Sequence, residues 1–416
     1  MYGGDPPWKR VKKSGLYSRG ERDLALVNAA KVLCDTLSDM TFGQQVDIII
    51  NDDKKQRFVD RVLQDNAFWD RMPQIFSLGY ALGGALVKVF VSGGSVKLDY
   101  SSAEDFIPLG WNSRRIDEGI FRSRFCQSGM YYTLFEKHGH DLGGNPEISC
   151  KLFRSPNSSD MGTEIPLGSL FPEMQPVISY PFGRKMFSYF HPAASNNIIT
   201  DSGMGLSVFY SCRDTLKALD IAFDSLMREF ILGRKRIIVP SSCIRTVVDP
   251  ESGEVRRYFD ADDEVYQALR CEDEKDLKII DNTAELRVDE HVSAINALLN
   301  ILCFQTGLSS GTLSFGSASG VRTAAEIESQ ENRTSRTVNS NRNIAAEFIE
   351  DIVRSILNAG AYIGELDDSE TDIRVSFSKE LDISIDSRID RNIRLMDHGI
   401  IDTQKARENL ADTVDV

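Results

Sequence analysis

Residues 203–240 read GMGLSVFYSCRDTLKALDIAFDSLMREFILGRKRIIVP. Apolar side chains recur at Phe209, Cys212, Leu216, Leu219, Phe223, Leu226 and Phe230, in alternating steps of three and four. That spacing lays a heptad-like seam along one face of a helix. Arg213, Lys217, Asp220, Asp224 and Arg228 fall on the other face, and Gly233 supplies the stop expected at a helix C-terminus. A second seam of Val288, Val292, Ile295, Leu299 and Leu302 runs over 287–306, and Gly307 follows it. Between the two helices, strand pattern appears at Arg236–Val239, Val255–Phe259 and Leu277–Ile280, with a DPESGE turn. Two architectures satisfy this pattern. One is a helical hairpin that carries a small, acidic α/β tip away from a body. The other is a pair of core helices with an inserted subdomain.

Downstream, residues 308–321 read LSSGTLSFGSASGV, a small-residue loop with Leu313 and Phe315 in it. Such composition predicts a flexible segment. Residues 322–358 then contain neither proline nor glycine. As one helix they would span about 55 Å at ~1.5 Å per residue. The middle of this stretch, SQENRTSRTVNSNRN (329–343), has Val338 as its one apolar residue. A helix polar on all sides is not held by a core of its own. It is expected to bridge, or to pack among copies of itself. Ile344, Phe348, Ile352, Ile356 and Leu357 give the rest an ordinary docking face.

Upstream, residues 21–39 read as a helix, and 55–82 as another with an interruption near Met72-Pro73 and a stop at Gly83-Gly84. Ala85–Val91 and Val96–Tyr100 flank a Ser-Gly-Gly turn, the signature of a β-hairpin. Further strand pattern occupies 115–126, 130–136 and 148–153, and 154–200 reads as loops with short elements. After the long helix come a strand at Ile373–Phe377 and helices at about 386–398 and 403–411, with Asp402 as an N-cap. The fold class is α+β, and no internal repeat is visible.

Charge sharpens the division. The chain has 416 residues, 48 basic and 62 acidic, for a net charge of −14. Residues 249–290 hold 15 acids and 6 bases, and 361–416 hold 14 and 7, so the remainder is close to neutral. Residues 1–22 are basic through Lys9, Arg10, Lys12, Lys13, Arg19 and Arg22. This tail is either a contact for scaffold, capsid or DNA, or a disordered end; Trp8 leans towards a protein contact. An apolar content of 41% excludes an intrinsically disordered chain. No run approaches a membrane span, and the N-terminus has no apolar core of a secretory signal. Seven scattered cysteines without a CxxC pair predict reduced thiols and no zinc site.

Signatures of catalysis are missing. There is no phosphate-binding loop, no HExxH and no GxSxG elbow. His138 and His140 in KHGHDLGG read as a surface turn rather than a metal pair. Asp262-Asp263-Glu264 and Glu272-Asp273-Glu274 read as a solvated or field-shaping face. The expectation is a non-enzymatic protein without cofactor or metal.

The order of parts resembles the portal proteins of tailed double-stranded DNA bacteriophages, most closely those of siphophages of Gram-positive hosts. GMGLSVFYSCRDTLKALDIAFDSLMREFILGRKRIIVP (203–240) carries the resemblance through its Gly-x-Ser start, internal Asp220, and Glu229 before Gly-Arg-Lys-Arg-Ile. TGLSSGTLSF (306–315) and VRTAAEIESQENRT (321–334) look like a second signature. There Thr323-Ala324-Ala325-Glu326-Ile327 stands for the family's Thr-Ala-Thr-Glu-Val. Ile373–Phe377 followed by MDHGIIDTQKARENL is also similar. The likeness is strong over 203–358 and loose over 100–200.

The resemblance implies a ring, usually of twelve subunits, at one vertex of the virion capsid, assembled in the host cytoplasm. It implies an N-terminal tail and wing (1–204), stem helices (205–232 and 287–306), a clip (233–286), a tunnel loop (307–321), a long helix with the wing strand (322–380) and a short crown (381–416). DNA would be packaged and ejected through the ring. The terminase large subunit, and later the head–tail adaptor, would dock at the clip. Major capsid and scaffold proteins would be further partners, and no membrane is involved.

The candidate site residues follow from that division. Ser309, Ser310, Gly311, Thr312, Leu313, Ser314, Phe315, Gly316, Ser317 and Ser319 would face the channel. Leu313 and Phe315 either rest on DNA or pack under the loop. Phe209, Leu216, Leu219, Phe223, Leu226, Phe230, Val292, Ile295, Leu299 and Leu302 would form the oligomeric stem seam. Arg256, Arg257, Asp262, Asp263, Glu264, Glu272, Asp273 and Glu274 would present the docking charge of the clip. Arg322, Glu326, Arg333, Arg336 and Arg342 would join long helices of neighbouring subunits. The loop has no Lys or Arg before Arg322, which suits passing DNA rather than gripping it. Two other functions compete: an adaptor or scaffold that never meets DNA, and a DNA-acting enzyme holding a metal on 260–276.

Overall fold

The computed structural model describes residues 1–12, 20–43, 46–113, 115–179, 185–232, 285–315 and 324–377, four short strands between 237 and 281, and positions 393 and 396. In chain order the elements are β1 (Arg10–Lys12), β2 (Glu21–Asp23), α1 (Ala29–Phe42), β3 (Val46–Ile50), α2 (Asp53–Asp65), α3 (Phe68–Leu82), β4 (Ala85–Ser92) and β5 (Ser95–Ser102). Then come β6 (Phe106–Asn112), β7 (Arg115–Gln127), β8 (Met130–His140), β9 (Pro146–Ser155), β10 (Thr163–Ile165), β11 (Val177–Ser179) and β12 (Phe187–Phe190). The second half holds α4 (Arg213–Leu232), β13 (Ile237–Ile238), β14 (Arg245–Val248), β15 (Val255–Tyr258), β16 (Ile280–Asp281), α5 (Val288–Thr306), α6 (Ala324–Tyr362) and β17 (Ile373–Phe377). The mixed helix-and-sheet class agrees with the α+β expectation.

Two compact units emerge. One comprises Ala30–Ser211, Thr306–Ser309 and Arg322–Val416; the other Met1–Ala29, Cys212–Gln305 and Ser310–Val321. In the first unit β12-β4-β5 form one antiparallel sheet, and β10-β9-β8-β7-β6 another, with β11 also on β9. β17 pairs with β3. The β4–β5 hairpin turns at Gly93-Gly94, both with positive φ (57° and 72°), which a tight hairpin turn requires and glycine permits. Phe76 anchors the core, its ring against those of Phe42, Tyr80, Phe190 and Phe348. Residues such as Phe76, Tyr80 and Phe190 are fully buried, as large aromatic side chains in a core are.

Three local expectations change. The first helix begins at Ala29, because residues 21–23 form β2 and Asn28 turns the chain at φ 55°. The break in 55–82 falls at Ala67 (φ 49°), and Pro73 lies inside α3. Asn66 makes that corner: its amide donates to the Val62 carbonyl and accepts from Leu98 N, closing α2 onto β5. His138 and His140 belong to β8 rather than to a turn. His138 is buried against Glu136 (2.8 Å), and His140 meets Glu118 (2.7 Å). Among the described residues no group of three or more His, Cys, Asp or Glu is arranged to hold a metal.

A buried charge network crosses this unit. Lys88 Nζ reaches Glu136 (2.8 Å) and Asp99 (3.4 Å), and Glu136 also bonds His138. Burial alone would raise the Glu136 carboxyl. The His138 hydrogen bond and the Lys88 charge outweigh it and bring it down to about 2.

Candidate functional site

In the second unit α4 and α5 run antiparallel. Thr215 Oγ1 donates to Gln305 Oε1 (2.9 Å) at one end, and Glu229 pairs with Arg287 (3.1 Å) at the other. Four short strands lie between α4 and α5 in the chain. There β13 pairs with β16, and β14 with β15. Leu216, Leu219, Leu226, Ile295, Leu299 and Leu302 are buried within this single chain. The heptad seam therefore closes inside one subunit. Phe223 and Val292 are half-buried, and of the seam residues only Phe230, 45% exposed, remains open. Phe209 is buried in the other unit and precedes the helix. The α-helix starts at Arg213 after a 3-10 turn at Tyr210–Cys212, eight residues past the Gly205 expected to begin it.

Gly205 has a different task. A Cβ on Gly83 (φ 83°) would lie 2.7 Å from the Gly205 carbonyl oxygen. Tyr189 Oη ties the two glycines, donating to Gly83 O (2.9 Å) and accepting from Gly205 N (3.1 Å). The Gly-x-Ser start thus marks a close backbone approach rather than a helix terminus.

The hydrophilic face of α4 is occupied. Asp220 accepts from Trp8 Nε1 (2.8 Å) and Val27 N (3.1 Å). Asp224 accepts from both Arg22 Nη atoms (2.7 Å each) and from Ala25 N (3.1 Å). β1 and β2 pair, so the N-terminal segment lies against α4 as a strap. The Arg22 guanidinium holds the Asp224 carboxyl below the usual range, whereas burial pushes Asp220 up. The described part of the basic tail packs on its own chain, a contact that neither reading of the tail included.

The loop after α5 is pinned by main-chain contacts. Gly307 (φ 78°) caps α5, and its carbonyl accepts from Thr337 Oγ1 (2.7 Å) on α6. Ser309 N donates to Thr334 Oγ1 (2.9 Å). Further along, Gly311 N donates to Asn300 Oδ1 (2.8 Å). Asn296 holds Phe315 on both sides: Oδ1 accepts from its N–H (2.7 Å) and Nδ2 donates to its carbonyl (3.1 Å). Leu308 and Leu313 are buried. Phe315 is 38% exposed, with its ring edge-on to Phe223.

The polar stretch of α6 is explained by what packs on it. Asn341 Oδ1 accepts from Ala193 N (3.0 Å), Arg342 Nη2 donates to Met40 O (2.8 Å), and the Arg342 guanidinium lies over Phe377. These polar side chains satisfy loop and helix-end backbone, groups that must be paired when buried. Arg342, expected between subunits, is instead buried inside its own unit.

A sequence profile described as "Phage portal protein, SPP1 Gp6-like" matches residues 18–416. The chain belongs to this family of phage portal proteins. No curated protein matches it. Among solved structures the portal chain is similar to a chain of "Virion of native gene transfer agent (GTA) particle". The two are 10% identical, with a TM-score of 0.46 over 92% of this chain and 88% of that one. A chain of "Neck of empty GTA particle computed with C6 symmetry" is 8% identical, with a TM-score of 0.45 over 92% and 89%. As a portal protein it is a ring-forming component of the virion, and its family is structural rather than enzymatic.

The remaining candidate residues of the portal chain divide plainly. Ser309, Ser310, Gly311, Thr312 and Ser314 lie on the pinned loop with Leu313 and Phe315. Arg333 and Arg336 are exposed on α6. Gly316, Ser317, Ser319, Arg322, Asp262, Asp263, Glu264, Glu272, Asp273, Glu274 and the expected crown helices lie outside the described residues. Arg256 and Arg257 fall in β15 and Glu326 in α6. Sequence reading missed a second apolar stripe on α5, Ala297, Ile301 and Phe304, all exposed; Phe304 reaches 67%. Ile221, Met227 and Ile231 are likewise exposed on α4. The same i, i+4, i+7 count that found the seam would have found the α5 stripe.

Proposed function

We propose that the chain assembles as a twelve-subunit ring at one capsid vertex and that double-stranded DNA passes through its centre during packaging and ejection. The observation that carries this reading is the loop after α5. Among its described residues, the Gly307 carbonyl is bonded to Thr337 and the Phe315 main chain to Asn296, its side chains are small, Phe315 is open, and no basic residue occurs between Gly307 and Val321. Such a surface guides a duplex without the phosphate contacts that would hold it.

In this assignment α4 and α5 are the stem, 233–286 the clip, 307–321 the tunnel loop and 381–416 the crown. The unit of Ala30–Ser211 with α6 and β17 is the wing. Residues 1–29 go with the stem rather than the wing, because Trp8 and Arg22 are anchored on α4. Subunits meet through the stripe of Ile301 and Phe304 and through exposed α4 residues such as Ile231, since the seam residues are already buried. The clip receives the terminase large subunit and then the head–tail adaptor. The wing meets major capsid and scaffold proteins, and the ring forms in the host cytoplasm of a siphophage of the Gram-positive type.

Electron microscopy of the purified chain tests the ring: closed rings of about twelve-fold symmetry are expected, and a monomer at high concentration across salt conditions refutes it. Deleting 309–319 tests the channel. Heads that fill normally with the deleted protein would remove the tunnel assignment and favour an adaptor without DNA passage.

A further inference from the structure

Asn296 and Asn300 stand four residues apart on α5 and therefore on one face of the helix. Neither is a good helix former, and each spends its side chain on the backbone of the following loop. Asn296 reproduces what a neighbouring β-strand would offer, taking the N–H of Phe315 and giving to its carbonyl. Asn300 takes the N–H of Gly311, whose φ of 83° fixes the bend before Leu313. Leu313 is buried beneath this bend, so the two amides bracket a hydrophobic anchor. The first half of the loop is thus held at three consecutive points, although its composition alone would leave it flexible. The last of those points carries the exposed aromatic ring.

We propose that Asn296 and Asn300 are positioning residues for DNA passage: they latch the loop to α5 and set where the Phe315 ring is presented. The proposal rests on the tunnel-loop reading above. The latch acts on backbone atoms, so it fixes the loop in the same way whatever DNA sequence is passing.

The test uses full-length rings and measures two quantities, amide hydrogen exchange at Phe315 and Gly311, and the fraction of heads filled in a packaging reaction. Asn296→Ala should raise exchange at Phe315 about fivefold, the effect of one net hydrogen bond, and should lower the fraction of filled heads. Asn296→Asp keeps the acceptor for the Phe315 N–H and should restore that protection. If Asn296→Ala rings do not assemble, Asn300→Ala carries the same test at Gly311. Unchanged exchange overturns the latch. Raised exchange with normal filling overturns the positioning role, provided that deleting 309–319 blocks filling in the same reaction. If the deletion also leaves filling normal, the tunnel-loop reading has failed and the proposal falls with it.

Discussion

The strap on α4 offers the sharpest energetic test. Arg22 and Asp224 form a bidentate pair with both contacts at 2.7 Å, the geometry in which guanidinium–carboxylate bonds are strongest. Their side chains are 28% and 8% exposed, so the carboxylate is the buried partner and the guanidinium reaches water at its rim. Asp224→Ala removes the two charged hydrogen bonds and the acceptor of Ala25 N. Removing one partner of a fully buried pair costs ~3–5 kcal/mol. Arg22 can turn towards solvent, so the cost here should be nearer ~2 kcal/mol. A loss of that size opens the strap about 30-fold more often, since ~1.4 kcal/mol is tenfold. The assay is hydrogen exchange at the Val27 amide, which is bonded to Asp220 and keeps its own acceptor in the variant, with Trp8 fluorescence as a second probe after Trp69 and Trp111 are replaced by Phe. Arg22→Ala and the double variant complete a cycle, and the two single effects should fail to add. Exchange at Val27 that rises less than threefold, or effects that add fully, would refute the strap as an energetic unit. Acid should release it as well. Asp224 has a lowered folded pKa, so its stabilisation is full above the ordinary carboxylate pKa and is lost as pH falls through the folded value. Asp220, raised by burial, contributes with the opposite sign: protonating it in acid relieves a cost.

Gly205→Ala should destabilise the sheet-bearing unit by about 3 kcal/mol, because the new Cβ meets His191 Cβ at 2.7 Å and the Gly83 backbone, where nothing can yield cheaply. Thermal unfolding of the purified chain reads this out, and a melting temperature unchanged from the parent would contradict it. Lys88→Ala should cost about 3 kcal/mol by leaving Glu136 with His138 as its remaining partner. In the parent, the Glu136 contribution is present above the ordinary carboxylate range and disappears as pH falls towards about 2, so an acid titration of stability should show a smaller step in the variant, where the His138 hydrogen bond remains. Phe304→Glu should prevent ring closure while leaving the subunit folded, which size-exclusion chromatography and circular dichroism together decide; rings that still close would move the subunit contact elsewhere.

The helices and their order were legible because periodicity is a strong signal. The seam of Leu219, Leu226, Ile295 and Leu302 is buried as the spacing requires. Whether a seam closes within one subunit or between two is not written in the spacing, since both bury the same residues. The polar stretch of α6 misled for a related reason. Thr334, Thr337, Asn341 and Arg342 look like a solvated face, yet they receive backbone from residues far away in sequence. Asp220 and Asp224 lie on the face opposite the seam, and they too receive main-chain groups from far away in sequence. The Pro73 break failed because a cap at Asn66, set by a contact with β5, decides where α2 ends.

These cases share one physical form. Short polar side chains in mid-helix, three or four residues apart, favour non-helical structure by their intrinsic preference, and that cost must be recovered. Asp220 with Asp224, Asn296 with Asn300, and Thr334 with Thr337 recover it by accepting hydrogen bonds from main-chain N–H groups, or giving one to a main-chain carbonyl, in an irregular segment laid along the helix. Each pair therefore marks where an irregular segment is tied down. In the hairpin unit the pairs hold the N-terminal strap on α4 and the first half of the loop on α5. Helices α4 and α5 of this portal protein are thus docking rails for its own chain. A substitution at these positions should loosen one segment while leaving the helix that bears it intact.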